Sequence, residues 1–174
     1  KLAKRELTEE VLEKAGLGER LRRSGLAYIG EPYADPAQWS SWITDANPLK
    51  IVVAYSSTWR NANRDSLCRA ANKRIRVRVA LPDLDHNSTM RPIARRFNIS
   101  LSELKSRVRE AQQDFDSIFS GRVCDYKRVQ FRGELLYNLI QCGPLVIVTL
   151  FSHTQLRQTN APILGRYDAR FLAN

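Results

Sequence analysis

Two short clusters of polar side chains in this sequence contain the residue types that phosphate or metal chemistry needs. In the first, Ser56 and Ser57 follow an apolar run and Arg60 comes shortly after them. Hydroxyl groups and a guanidinium at the end of a strand can hold a phosphate, helped by the start of a helix. The same residues can also simply cap a helix and face solvent, and both interpretations remain open.

The second cluster is Asp83, Asp85 and His86, which follow another apolar run. Carboxylates and an imidazole can bind a metal ion or transfer protons. Carboxylates after a strand also commonly form an Asx turn or cap the next helix, so D-x-D-H is a weak signal. We predict no metal site and no cofactor, and we assign no catalytic residue. If the protein is active, His153, His86 and Asp83 are the expected catalytic residues.

Positive charge is concentrated in the same part of the chain. The net charge is +10, and residues 60–78 contain seven cations against one acid, Asp65. Such a balance indicates an anionic partner, nucleic acid or another phosphate compound, although a solvated face that keeps the protein soluble is the alternative. Aromatic residues are not interleaved with these cations as a single-strand stacking platform would require. The predicted ligand-binding residues are Ser56, Ser57, Arg60, Arg64, Arg74, Arg76 and Arg78.

A βαβ unit would bring the two polar clusters together. Residues 49–55 predict a strand buried on both faces, residues 61–73 a helix, and residues 75–81 a second strand with alternating arginines and valines. Parallel strands joined in this way end at the same edge of a sheet, so Ser57 and Asp83 should open onto one hollow ringed by guanidinium groups. The sequence predicts an α/β fold with a mixed sheet flanked by helices.

The remaining segments extend this prediction. Asp35 and Pro36 are typical of a helix start, and Ser100 with Glu103 forms a capping-box pattern before a long apolar stripe. Residues 1–25 predict a helical connector or the tail of an upstream domain, and residues 26–174 the α/β domain. The predicted elements are an edge strand at 26–29, helices at 36–46, 91–97 and 101–119, and strands at 123–131, 135–141 and 145–151.

Size and composition favour a single domain. The chain has 174 residues and is 43% hydrophobic, and no apolar run has the length of about 20 residues that a membrane helix needs. Because the chain begins at Lys1, we expect it to be part of a longer protein. The three cysteines, Cys68, Cys124 and Cys142, form no C-x-x-C pair, which favours reduced thiols and a cytoplasmic location.

An ordered series of segments resembles the phospholipase D superfamily between Arg20 and Pro162. SGLAYIGEPYADPAQWSSWITDANPLKIVVAYSS resembles the helix and first strand of the family, and LCRAANKRIRVRVALPDLD its next helix and strand. LLYNLIQCGPLVIVTLFSH resembles the later hairpin that normally carries the catalytic H-x-K-x-x-x-x-D motif. The resemblance implies a phospholipase D-like fold, in a bacterial branch of proteins associated with regulation or antiviral defence.

The catalytic signature of that family is not intact here. The chain has two histidines, His86 and His153, and the motif spacing from His153 places Gln155 where lysine belongs and Asn160 where aspartate belongs. Loss of the lysine removes the cation that would hold a transferred phosphoryl group. The expectation is therefore a non-catalytic module of a larger bacterial protein that binds nucleic acid or another polyanion in a sensing role.

Two alternatives remain open. One is a phosphodiesterase or nuclease with a non-standard active site around His153, and the other is a structural dimerisation module. The expected partners are nucleic acid or another polyanion, an upstream domain of the same protein, and in the last case a second copy of the chain. No membrane partner is expected.

Overall fold

A seven-stranded mixed sheet organises the computed structural model, which describes residues 26–29, 36–150 and 162–166. The order across the sheet is β1-β7-β6-β5-β2-β3-β4. The strands β2, β3 and β4 are parallel, and the other pairings are antiparallel. This confirms the predicted α/β fold with a mixed sheet. The strands are β1 (Leu26–Ile29), β2 (Leu49–Val52), β3 (Arg76–Pro82), β4 (Asp125–Phe131), β5 (Tyr137–Cys142), β6 (Leu145–Leu150) and β7 (Pro162–Arg166).

The described residues contain five helices, and these form one layer. The helices are α1 (Pro36–Thr44), α2 (Ser57–Ala62), α3 (Arg64–Ala71), α4 (Asn87–Phe97) and α5 (Leu101–Phe119). Helix α1 packs against α3, and both α3 and α4 pack against α5. Crossovers between parallel strands are almost always right-handed, and two successive ones in the same direction, from β2 to β3 and from β3 to β4, place their helices on the same face of a sheet. The side chains of β2 and β3 on that face are fully buried: Leu49, Ile51, Val77, Val79 and Leu81.

The parallel β2–β3 unit is confirmed, with corrections to its elements. Val52 lies opposite Ala80, so the two strands leave the sheet at the same edge. The single helix predicted at 61–73 is two helices, α2 and α3, separated at Asn63. The backbone of Asn63 departs from helical values, with φ of −111°, and both its side chain and its amide donate to the Trp59 carbonyl, at 2.9 and 3.1 Å.

The start of α4 also differs from the prediction. The helix begins at Asn87 rather than at Arg91 and contains Pro92. Thr89 and Met90, in the stretch predicted to be a loop, are almost completely buried, and their amides both donate to the His86 carbonyl. Burial in the tertiary structure therefore stabilises a helical turn that local sequence did not indicate.

Other predicted elements are confirmed. Ser100 caps α5 by accepting from the Glu103 amide at 3.0 Å, and the apolar stripe from Leu104 to Ile118 faces the core. Trp39 and Ile43 of α1 are buried, as their spacing predicted. Trp39 also meets Trp42 and Trp59 edge-on, contacts worth about 1 kcal/mol each beyond area burial. The predicted connector at 1–25 and His153 lie outside the described residues, among which no helix is long and apolar enough to cross a membrane.

A buried arginine ties α2 to α5. Arg60 is 1% exposed, and its Nε donates to the Tyr55 carbonyl at 2.8 Å. Its two Nη atoms contact Asp114 and, at 3.2 Å, Glu110. The guanidinium also lies 5.8 Å from the Phe115 ring centroid. Every edge of this guanidinium is engaged by the protein itself.

Replacing Arg60 is expected to destabilise the fold much more than replacing its neighbour Arg64. Arg60→Ala should lower the free energy of unfolding by about 3 to 5 kcal/mol, because it removes the buried guanidinium that bonds Asp114, Glu110 and the Tyr55 carbonyl together. Arg64 also contacts Asp114 but is half exposed, so Arg64→Ala should cost far less, because exposed ion pairs contribute little to stability. Urea unfolding of both variants measures this, and equal losses would show that burial of Arg60 is not what matters.

Candidate anion-binding face

The sheet face opposite the helix layer carries a row of three cations on adjacent strands. Lys50 of β2 lies opposite Arg78 of β3, and Arg78 lies opposite Lys127 of β4. Neighbouring strands are about 4.8 Å apart, so the row spans roughly 10 Å at the backbone. Like charges directly opposite one another destabilise a sheet. Sheet stability therefore does not explain why these three residues occur together.

Two further arginines extend the row. Arg76 lies two residues before Arg78 on the same face and is exposed, and exposed Arg74 lies two residues before the start of the strand. Neither makes a hydrogen bond or ion pair with the described part of the chain. We call Lys50, Arg76, Arg78 and Lys127 the basic face, with Arg74 at its rim. Aliphatic side chains alternate with these cations along the strands: Val52, Ala80 and Val129.

One acid lies on the basic face. Asp125 pairs with Arg78 at 2.7 Å between Oδ2 and Nη2. The hydrogen bond from Arg78 lowers the pKa of Asp125 below its usual value, which keeps this carboxylate ionised. Nη1 of Arg78 also donates to the carbonyls of Val77 and Asp125, at 2.8 and 2.7 Å. Arg78 is thus held in place, whereas the side chains of Lys50 and Lys127 make no hydrogen bond or ion pair within the described residues.

Period-two alternation in β3 builds this face. Val77 and Val79 point to the helices and are fully buried, so Arg76 and Arg78 must point the other way. The sequence interpretation missed Lys50 and Lys127. Lys50 is a single charge within an apolar run, and nothing local shows that it will lie beside Arg78, because strand register is a tertiary property.

The predicted site residues divide between two places. Ser57 and Asp83 lie at the carboxyl ends of β2 and β3, as expected for parallel strands. Arg76, however, precedes Asp83 by seven residues on one strand, which is about 23 Å at 3.3 Å per residue. Arg74 lies further away still, and the side chains of Arg76 and Arg78 lie on the sheet face opposite the helix layer. The expected single hollow ringed by guanidinium groups is wrong.

Arg60 and Arg64 belong to the helix layer. Arg60 is buried and each of its three guanidinium nitrogens bonds the protein, so the ligand role expected for it does not fit the structure. Arg64 shares Asp114 with it and remains half exposed. Ser56 adopts a left-handed backbone conformation and caps α2 without a side-chain hydrogen bond, and Ser57 is the first residue of that helix. The phosphate role of the two serines stays a prediction.

Asp83 forms the Asx turn that the sequence left open. Its Oδ1 accepts from the Asp85 amide at 3.0 Å, and its Oδ2 accepts from Arg132 Nε at 2.8 Å. Both hydrogen bonds lower the pKa of Asp83, and the bond from Arg132 has the larger effect. His86 Nδ1 lies 2.8 Å from the Thr89 hydroxyl. Among the described residues no group of three His, Cys, Asp or Glu side chains is placed to hold a metal ion.

The three cysteines are free thiols. Burial raises the pKa of Cys142 to about 12, and burial also raises the pKa of Cys124 above its usual value. Both are therefore protonated at neutral pH and are poor nucleophiles.

Comparison with known proteins identified no matching family model and no curated protein of similar sequence. A solved structure of TrmBL2, described as an archaeal chromatin protein with a novel mode of DNA binding, matches with a TM-score of 0.45 and 11% sequence identity. The match covers 98% of this chain and 59% of TrmBL2, so the chain spans little more than half of that protein. A likeness at this level transfers neither fold nor function.

The Asp83–Arg132 pair is expected to make stability depend on acid pH. The pKa of Asp83 in the folded protein lies below its ordinary value of 3.8, so its contribution is present above that value. It is lost as the pH falls through the folded-state pKa. The difference in unfolding free energy between wild type and Asp83→Asn should therefore shrink below about pH 4.

A double-mutant cycle tests the cause of this dependence. In an Arg132→Ala background, most of the pH-dependent effect of Asp83→Asn on the unfolding free energy should disappear, because the largest cause of the lowered pKa is gone. Urea unfolding of the four proteins at neutral pH and at about pH 3 gives the values. An unchanged effect in that background would rule out Arg132 as the main cause.

Proposed function

We propose that this protein is a non-catalytic module that binds nucleic acid or a similar polyanion through the basic face. The observation that carries the proposal is the row of Lys50, Arg78 and Lys127 across three neighbouring strands. On the sequence resemblance alone, we also propose a phospholipase D-like domain without an intact catalytic motif, in a sensing, regulatory or antiviral-defence role within a larger bacterial protein.

Electrostatics supports an anionic ligand here. At about 5 Å in water, two like charges repel by about 0.8 kcal/mol, and two such neighbouring pairs occur in the row. Long side chains reduce this repulsion by spreading apart, at a cost in conformational freedom. A phosphate placed between two cations replaces the repulsion with attraction and releases counterions from the nucleic acid.

The residues between the cations favour contacts with phosphates over contacts with bases. Val52, Ala80 and Val129 offer no aromatic ring on which a base can stack. Lysine and arginine contacts to the phosphate backbone carry no direct sequence information. We therefore expect binding that depends strongly on salt and weakly on nucleotide sequence.

Removing the row is expected to weaken binding and its salt dependence together. The triple variant Lys50→Ala, Arg78→Ala, Lys127→Ala should lower the slope of log K against log salt by about 0.9 per lost phosphate contact, or about 2.7 for duplex DNA. Fluorescence anisotropy with a short labelled duplex at several salt concentrations measures both quantities. A single-stranded probe is run in parallel, for which the expected change per contact is about 0.7.

A charge-matched control separates this site from general electrostatics. Lys105, Arg109 and Arg122 lie on α5 or in the turn after it, and replacing all three with alanine removes the same charge. This control should reduce affinity and slope much less than the row variant does. Equal losses in the two triple variants, or no binding by wild type at low salt, would contradict the proposal.

Neutralising the acid on the basic face is expected to have the opposite effect. Asp125→Asn removes the only carboxylate among the side chains assigned to this face and releases Arg78 Nη2 from its ion pair. Affinity for the same duplex should rise severalfold at low salt, and the gain should fade as salt screens the charge. Unchanged or weaker binding would show that Asp125 mainly positions Arg78 for the ligand.

A further inference from the structure

A second arginine is fixed in orientation at the carboxyl edge of the parallel strands, away from the basic face. Arg132 follows β4, and its side chain is 71% exposed, yet Nε is held at 2.8 Å by Asp83 Oδ2. The Asp83 side chain is only 9% exposed and is itself fixed by the Asp85 amide. A buried carboxylate thus holds one edge of an exposed guanidinium.

The opposite edge of this guanidinium has no partner in the described part of the chain. Nη1 and Nη2 of Arg132 make no hydrogen bond there, so the fork that these two atoms form is available to solvent. Arginine binds the oxygens of a phosphate through two parallel N–H···O bonds, and this geometry suits it better than lysine. Because Asp83 already restricts the side chain, less conformational entropy is lost when an anion binds.

A hydrogen-bond network joins Arg132 to His86 on the neighbouring loop. The Asp83 amide donates to the Phe131 carbonyl at 3.0 Å, and the His86 amide donates to the Asp83 carbonyl at 3.2 Å. These two bonds connect the loop after β3 to the end of β4. Arg132 and His86 are therefore both placed relative to Asp83.

The buried Thr89 hydroxyl links the same two loops a second time. It accepts from the Gly133 amide at 2.7 Å and lies 2.8 Å from His86 Nδ1. When Thr89 donates its remaining hydrogen to Nδ1, the imidazole carries its hydrogen on Nε2. Ser88 Oγ lies 3.1 Å from that Nε2 and is exposed. Gly133 has φ of +134°, which only glycine adopts without strain, so the loop path depends on it.

We propose that Arg132, supported by His86 and Ser88, forms a binding site for the phosphate group of a phosphate monoester. The Nη edge of Arg132 takes two phosphate oxygens, and the imidazole and the hydroxyl supply further donors. Asp83 is a positioning residue that does not itself touch the ligand. This edge site does not depend on the basic face, which lies towards the other end of β3.

The test measures binding of adenosine monophosphate, inorganic phosphate and adenosine by calorimetry or by NMR shift changes at the Gly133 amide. Wild type should bind the two phosphate compounds in the millimolar range or tighter, and adenosine should not bind measurably. Arg132→Ala and Arg132→Lys should each weaken phosphate binding by about tenfold or more, since lysine cannot present the fork. Arg122→Ala is the control for loss of one exposed positive charge and should bind like wild type.

Asp83→Asn separates positioning from simple electrostatics. It removes a negative charge near the ligand, so charge alone predicts tighter phosphate binding. Loss of the fixed orientation predicts weaker binding, by severalfold, and that is the expected result. Thermal unfolding of each variant confirms that it is folded, and exposed Ser88→Ala, expected to bind a few times more weakly, serves as the second variant if Asp83→Asn unfolds.

Several results would overturn the proposal. These are no phosphate binding by wild type, equal binding by folded Arg132→Ala, and equal binding of adenosine and adenosine monophosphate. Tighter binding by folded Asp83→Asn would overturn the positioning role of Asp83. The triple variant Lys50→Ala, Arg78→Ala, Lys127→Ala should still bind phosphate monoesters. The two proposed sites can therefore be tested, and can fail, independently of each other.

Discussion

The parallel pairing of β3 with a strand on each side is the constraint on which the rest of the structure depends. The helices of both crossovers pack against one another on the same face of the sheet, and α5 covers the buried valines of β3. The alternate residues of β3 must then point to the other face. Because Val77 and Val79 are in the core, the side chains of Arg76 and Arg78 must project from the opposite face of the sheet.

The same division decides what each arginine does. Arginines that face α5 meet acids of that helix: Arg60 and Arg64 meet Asp114, and Arg128 meets Asp116 at 3.0 Å. These pairs join α2 and α3 to α5, and α5 to the edge strand β4. Among the described strand residues, the cations of the opposite face have one acid, Asp125, beside them. Charge is thus paired within the helix layer on one face, whereas on the other Lys50, Arg76 and Lys127 make no ion pair with the described residues.

A third use of charge occurs where the parallel strands end. Asp83 is buried and ionised because Arg132 and a backbone amide satisfy it, and the pair fixes an exposed guanidinium in one orientation. The exposed arginines Arg74 and Arg76 have no such support in the described residues. Orientation, more than charge, is what distinguishes Arg132 from them, and orientation is relevant to a small ligand because it lowers the entropic cost of binding.

The sequence by itself determined the α/β class, the parallel β2–β3 unit, the Ser100 cap of α5 and the outward alternation of Arg76 and Arg78, because periodicity and capping are local properties. Tertiary structure alone decided that Lys50 and Lys127 flank Arg78, that Arg60 is buried against Asp114, and that Arg132 reaches Asp83. Each of these joins residues from separate elements, and their meeting depends on strand register and helix packing. Neither is encoded within the few residues around any one of them.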